Sequence, residues 1–242
     1  MLPVPAVNKL LSTLPPADRE RISSNLTTVP APFKHVFYKQ GATIDHVYFP
    51  GSGAWSLTKT MEDGGTSEVG TIGNEGMIGC SVFFGDRLSP TEALVQVAGV
   101  VDSYKMPVAA FMTEMQLHGA FFNKVIRYHQ ALSLQIQQTS ACNALHPAEQ
   151  RCSRWLLMTR DRVGSDDLKL THEFLAIMLG VRRPTVTIIA GTLEKAGLIA
   201  NGHRGAISIL NRQGLEAASC ECYATVKDNF ARLLPEIPTP MG

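Results

Sequence analysis

The sequence predicts an α+β chain: a β sandwich or barrel first, one long helix next, and a small helical unit with a hairpin last. Two observations carry this. Between about residues 33 and 105, short apolar runs recur at intervals of roughly ten residues and are divided by Gly, Asn and Asp, as in antiparallel sandwiches and barrels. Between 107 and 143 glycine vanishes except for Gly119, and apolar residues recur at steps of three and four.

Each element has its own signal. Residues 8–28 read as one or two short helices, with Leu10, Leu11, Leu14, Ile22 and Leu26 on the apolar side and Pro15-Pro16 between them. In the β-rich stretch, Val36, Val47-Tyr48-Phe49, Trp55-Leu57 and Val95-Val97 are expected to face inward. Along the long helix, Phe121, Phe122, Val125, Ile126, His129, Leu132 and Ile136 fall on one stripe. So apolar a stripe must be covered, either by the β domain or by a second copy of the helix. The i, i+3/i+4 seam is what a two-helix dimer uses, which makes Phe122, Val125, Ile126, His129, Leu132 and Ile136 the candidate dimer residues; a short core helix gives a similar pattern. Proline disfavours helix in the residue before it, so His146-Pro147 ends or bends this element. The expected division is 1–117 for the β domain, 118–146 for the helix and hinge, and 147–242 for the final domain.

Composition narrows the classes of function. With 45% hydrophobic and 18% charged residues, the chain can bury real cores and is not broadly disordered. A formal charge of +1 excludes any argument about partners from net charge alone. Locally, residues 148–218 hold ten Lys and Arg against seven Asp and Glu, which permits an anionic partner there. No run of about 18 apolar residues appears, so no membrane partner is expected. The opening MLPVPAVNKLLSTLPP lacks the basic end, apolar stretch and cleavage site of a secretory signal. Five cysteines, Cys80, Cys142, Cys152, Cys220 and Cys222, are odd in number and scattered, which suits a reducing cytoplasm.

The most informative stretch is THEFLAIMLGVRRPTVTIIAGTLEKAGLI, residues 171–199. Thr171 is a candidate N-cap for a helix over His172–Leu179, Gly180 stands where a sharp turn needs positive φ, and a second helix runs from about Arg183 to Lys195 with Pro184 in its first turn. Ala176 is small enough for the two to cross closely, while Leu175, Leu179, Val181, Val186 and Ile189 pin them together. This is the helix-turn-helix pattern. In it the second helix enters the DNA major groove N-terminal end first, so Arg182 and Arg183 would arrive there with Thr185 and Thr187, and Thr171 is a further candidate DNA contact. Arginine pairs bidentately with guanine, and a helix N-terminus donates N–H groups to phosphate. The plainer reading of Arg182-Arg183 is a solvated helix start. His203-Arg204-Gly205 reads as the tip of a hairpin wing along the DNA backbone, or as an ordinary polar turn; Lys195 meets phosphate or solvent.

Over nearly its whole length the sequence resembles the CRP/FNR family of bacterial transcription regulators, most specifically through RCSRWLLMTRDRVGSDDLKLTHEFLAIMLGVRRPTVTIIAGTLEKAGLI. The resemblance implies a cyclic-nucleotide-binding-like β roll (a jelly-roll barrel), a long dimerisation helix and a C-terminal winged helix-turn-helix. It also implies a homodimer on double-stranded DNA at half-sites about one helical turn apart, with RNA polymerase as a further partner. Departures from the family pattern matter as much. Where cyclic-nucleotide-binding members carry Gly-Glu and a later Arg-Ser, this chain has Gly79-Cys80-Ser81 and Thr91-Glu92, with Arg87 nearby. A carboxylate in place of a guanidinium repels phosphate, so cyclic AMP is not expected to bind in the family's usual way, and the effector is left open. The reading helix, Arg183-Pro184-Thr185-Val186-Thr187-Ile188, keeps the first Arg of the catabolite activator's Arg-Glu-Thr-Val-x-Arg run but not its Glu or second Arg, so the operator should differ. The oxygen sensor's N-terminal cysteine cluster has no counterpart before Cys80. His35, His46 and His129 are the candidates for a haem ligand of the kind some relatives use, and no cofactor is expected.

Cys220-Glu221-Cys222 reads either as half of a metal or redox site, without an evident second pair, or as two small buried side chains in a terminal helix. Phosphate-loop spacing, a Gly-x-Ser-x-Gly elbow and HExxH are all missing, so an enzyme is not expected. Glu62-Asp63 and Asp166-Asp167 fall in turns. A ligand-binding module whose helical unit docks on a protein is the alternative to DNA binding.

Overall fold

A computed structural model describes residues 8–202 and 205–235. Two short helices come first, α1 (Lys9–Ser12) and α2 (Pro16–Ser23). Asn8 tethers α1: its Oδ1 accepts from the N–H groups of Leu10 and Leu11, and its Nδ2 donates to the carbonyls of Pro50 and Gly76 at 3.0 and 2.9 Å. The amide is fully buried and both ends are satisfied, so removing it would leave backbone groups unpaired.

The β roll consists of two antiparallel sheets. One has the order β1 (Thr27–Val29), β7 (Ser103–Pro107), β3 (His46–Phe49); the other has β2 (Val36–Tyr38), β6 (Glu92–Ala98), β4 (Gly53–Thr60), β5 (Thr66–Ile72). Val47, Phe49, Trp55, Ile72, Val95 and Met106 fill the space between them. A short 3-10 helix at Cys80–Phe84 interrupts the strands. Val36 was expected to face inward and does not: it is 37% exposed, and Tyr38 is the buried residue of β2. A register shift between Val36 and Tyr38 against β6 reverses the strand's phase, as bulges do.

The four-stranded sheet is buried on both faces. Trp55, Ala93 and Val95 belong to the roll's core, whereas Ala54, Leu94 and Val97 belong to a second core built with the C-terminal helices. Two-sided burial explains why these strands lack clean polar alternation.

Helix α3 (Val108–Gln116) leads through Gly119 into α4 (Ala120–Leu145), about 39 Å long at 1.5 Å per residue. Helix α4 has two apolar stripes. Phe121, Val125, Tyr128 and Leu132 are buried in the roll's core, while Phe122, Ile126, His129 and Ile136 stay half-buried. Val125 and Leu132 therefore do not lie on an open dimer seam as expected; their own β domain covers them.

Pro147 caps α5 (Ala148–Val163), and β8 (Asp167–Leu168), α6 (His172–Leu179), α7 (Arg183–Lys195), β9 (Ile199–Gly202), β10 (Ala206–Ile209) and α8 (Arg212–Ala217) follow. Strands β8, β10 and β9 form a small antiparallel sheet in that order. Helix α9 (Cys222–Leu233) turns back and lies along α4, and its Phe230 touches both cores. No single helix among the described residues is long and apolar enough to cross a membrane.

Candidate nucleic-acid interface

Helices α6 and α7 meet at 106°, within the range for a helix-turn-helix. The joint forms as its residues require. Thr171 Oγ1 accepts from the Phe174 N–H at 3.1 Å and caps α6. Gly180 adopts φ 62°, ψ 38°, and the Val181 N–H reaches back to the Ala176 carbonyl at 3.0 Å, closing the helix end. A side chain at Gly180 would be strained by that φ and would also approach Ser67 Oγ of β5 at 3.2 Å. Val186, Ile189, Ala190 and Leu193 hold α7 down on Phe174, Leu175, Ala176 and Leu179.

What α7 leaves outside is its N-terminal end. Arg182 and Arg183 are exposed, no side chain caps the helix, and the one acidic contact among the described residues, Arg183 Nε to Glu173 at 3.8 Å, lies between two well-solvated groups. Such a pair holds little free energy, so the guanidinium is available to another anion. Thr187 is exposed and Thr185 half-buried. Thr171 serves its cap, and its methyl lies under Gly205, where an added Cβ would come within 2.7 Å. His203 and Arg204 lie outside the described residues.

Two contributors to this surface were not singled out from sequence. Ile188 is 71% exposed on the same side as Thr187; the helical period that buries Val186, Ile189 and Leu193 turns it outward. His172 is within hydrogen-bond distance of Thr187 Oγ1 (3.3 Å, from Nδ1) and of Asn201 Oδ1 (3.2 Å, from Nε2), and Asn201 donates twice to Glu194 at 2.8 Å. These bonds hold Glu194 below the usual carboxylate range. The chain of contacts ties α6, α7 and the wing strand β9 into one body; no local pattern announces it, because its members are distant in sequence.

Another side of the domain, which includes α6 and the Gly180 joint beside Ser67, is docked on the roll. Trp155 Nε1 donates to Glu68 Oε1 at 3.1 Å, Arg162 pairs with Glu75 at 2.9 Å, and Gln96 Nε2 donates to Thr159 Oγ1 at 3.4 Å. Glu68 is buried and also accepts from Ser56 and Thr71. Desolvation raises its pKa, with the hydrogen bonds and the Arg154 charge working against the rise. Ser56 has one proton for two acceptors, Glu68 and Gln96 Oε1 (2.5 Å), so a carboxyl carrying its own proton completes the network.

The structure does not gather the effector candidates into one site. Cys80 is buried with Sγ 3.6 Å from His129 Nδ1, while Arg87 turns to Asp45 at 2.9 Å on the exposed surface. Gly79 packs close to Ile44 and Val47, Ser81 is half-buried, and Thr91 and Glu92 lie half-buried at the start of β6. Burial pushes the Cys80 thiol up to about 12 and lowers the His129 pKa. That pair is a neutral thiol beside a neutral imidazole rather than an activated nucleophile. His35 packs on Phe37 and His46 on Tyr48. A groove of about 800 Å³ lies elsewhere, bordered by Lys124, Asp161, Arg162, Tyr223 and Phe230. Cys220 and Cys222 are buried, as one reading of the sequence had it, but Cys142 and His146 stand beside them.

Residues 150–218 match the family profile of the Crp-like helix-turn-helix domain. The chain carries a Crp-like helix-turn-helix domain on the CRP/FNR regulator fold. Similar solved structures include two transcriptional regulators from Thermus thermophilus. One, of the CRP family, is 18% identical over 80% of this chain and 96% of its own, with a TM-score of 0.66. The other, of the CRP/FNR family, is 21% identical over 80% and 97%, with a TM-score of 0.64. The c-di-GMP-responsive global regulator of Xanthomonas campestris is 14% identical over 80% and 98%, with a TM-score of 0.65. No curated protein matches the chain. The matched domain and these structures belong to transcription regulators, not enzymes.

Proposed function

We propose that the chain is a dimeric, sequence-specific transcription regulator whose α7 reads the DNA major groove. One observation carries the reading: Arg182 and Arg183 project unburied from the uncapped N-terminus of a helix set at 106° in a Crp-like domain. Arg183 would meet a guanine edge, Thr185 and Thr187 would accept or donate nearby, and Ile188 would contact a thymine methyl. Residues 118–146 join a sensing β roll (1–117) to the DNA-binding part (147–242), and α9 folds back from the latter onto α4. The RNA polymerase contact rests on the resemblance alone.

The half-buried stripe on α4 supports a second copy as its cover. Phe122, Ile126, His129, Ser133 and Ile136 follow one another at steps of four and three, the seam a two-helix coil packs. His129 and Ser133 in its middle would fix register at some cost in affinity. Ile126→Glu is expected to give a monomer by light scattering, with operator affinity lost; a dimer of unchanged stability would remove α4 from the interface.

Selection of bound sequences from random duplexes tests the main reading. The wild type should enrich a two-fold-symmetric site, with binding that weakens steeply as salt rises, and Arg183→Ala should lose the enrichment. A chain that enriches nothing would favour the docking alternative.

A further inference from the structure

Three cysteines form a cluster separate from both apolar cores: Cys142 near the end of α4, with Cys220 and Cys222 at the start of α9. His146, which caps the end of α4, completes the group. The thiol sulfurs of the three and one ring nitrogen of His146 all lie within 4.8 Å of one another. Cys142 Sγ is 3.5 Å from Cys220 Sγ, and Cys222 Sγ is 3.5 Å from His146 Nδ1. A zinc ion with thiolates at about 2.3 Å in a tetrahedron puts sulfurs about 3.8 Å apart, and a nitrogen slightly closer. The four atoms therefore stand near the corners such an ion needs.

We propose that Cys142, His146, Cys220 and Cys222 bind one zinc ion, a structural Cys3His centre that clasps the end of α4 to the start of α9. Three surrounding features fit an ion rather than plain packing. His146 Nε2 lies 3.3 Å from the Glu221 carboxylate, so that the ring's other nitrogen, facing Cys222, is the ligand; ligating histidines are oriented in this way by a carboxylate. Gln138 Nε2 donates to Cys222 Sγ at 3.0 Å, a bond that stabilises a thiolate. Finally, Arg154 is buried, has no ion pair among the described residues, and leaves Nε without a partner while Nη1 donates to Thr139 beside Cys142. Three thiolates around Zn²⁺ carry a net negative charge, which a buried guanidinium offsets. The site sits at the His146-Pro147 joint, where α4 hands over to α5, so the ion would fix how the DNA-binding part is held. It does not depend on which DNA, or whether DNA, is bound.

The test uses the full chain, purified under reducing conditions without chelator. Elemental analysis should find about one zinc per chain, and cobalt added after zinc removal should give intense d–d absorption with sulfur-to-metal charge transfer, the mark of tetrahedral thiolate ligation. Cys222→Ser should abolish the metal, and Cys152→Ser, a buried cysteine outside the cluster, should retain it. Glu221→Gln, at an exposed position where misfolding is not a concern, should weaken zinc binding about 10-fold or more in chelator competition. Reduced wild type that holds no zinc and gives no cobalt–thiolate bands overturns the proposal. So does iron as the resident metal, a Cys142–Cys220 disulfide in the fresh protein, or full zinc content in Cys222→Ser.

Discussion

The helix-turn-helix part presents two polar faces that use their groups in opposite ways. On the docked face, Trp155 and Arg162 spend their donors on Glu68 and Glu75, and Thr159 accepts from Gln96, in space from which water is largely excluded. On the open face, Arg182 and Arg183 keep donors in solvent, the exposed Thr187 hydroxyl meets only its own helix and His172, and the side-chain bonds run sideways from His172 through Asn201 to Glu194. A satisfied polar group in a dry interface is fixed in place, because losing its partner costs the full desolvation of what remains. A solvated one is free to exchange water for a ligand. The first face is therefore a stability element, and the second is where recognition is to be sought.

That contrast predicts a graded set of outcomes. Trp155→Ala should have the largest effect, a loss of about 4 kcal/mol read from urea denaturation, because it empties the second core and strips Glu68 of a donor. A loss under about 1 kcal/mol would mean the docked face is not holding the domain. Arg183→Ala should leave that denaturation curve where it is and remove about 2 kcal/mol of base discrimination in competition binding; a shifted curve with unchanged discrimination would reverse the assignment of the two faces.

Glu68 gives the docked face a pH signature opposite in sign to that of Glu194 on the open face. Its folded pKa is raised above the ordinary glutamate value, so the folded state holds the proton more tightly than the unfolded state does. Its contribution is fully present below the unfolded pKa and is lost as pH rises through the folded one. Glu68→Gln should flatten that part of the stability profile, measured by urea midpoints from about pH 4 to 8. An unchanged slope would assign it to other groups. The smallest effect belongs to His172→Ala, about 0.5–1 kcal/mol, seen as faster amide exchange in β9 with little change in global stability.

The helix-turn-helix was legible because its signals are local: a cap at Thr171, a positive-φ glycine at 180, and apolar spacing that fixes the inward side of both helices. The same spacing would have turned Ile188 outward. The roll was legible as a texture but not in phase, since the shift at Val36/Tyr38 depends on how β2 pairs with a strand more than fifty residues away. On α4 the apolar spacing reads as one broad stripe where packing makes two, because periodicity shows which residues are apolar and not what covers them. Arg87 was read as near a ligand loop, yet it pairs with Asp45 across forty-two residues.

By itself, then, the sequence determined whatever rests on interactions within a few residues: the order of elements, the helix pair and its exposed arginines. Only the tertiary structure decided which face of α4 stays open, that Glu68 is sealed under Trp155, and that Cys142 and His146 stand beside Cys220 and Cys222. The reason is distance along the chain. The return of α9 along α4 closes the seventy-eight-residue span between Cys142 and Cys220, and no local pattern encodes a contact that depends on the packing of everything between.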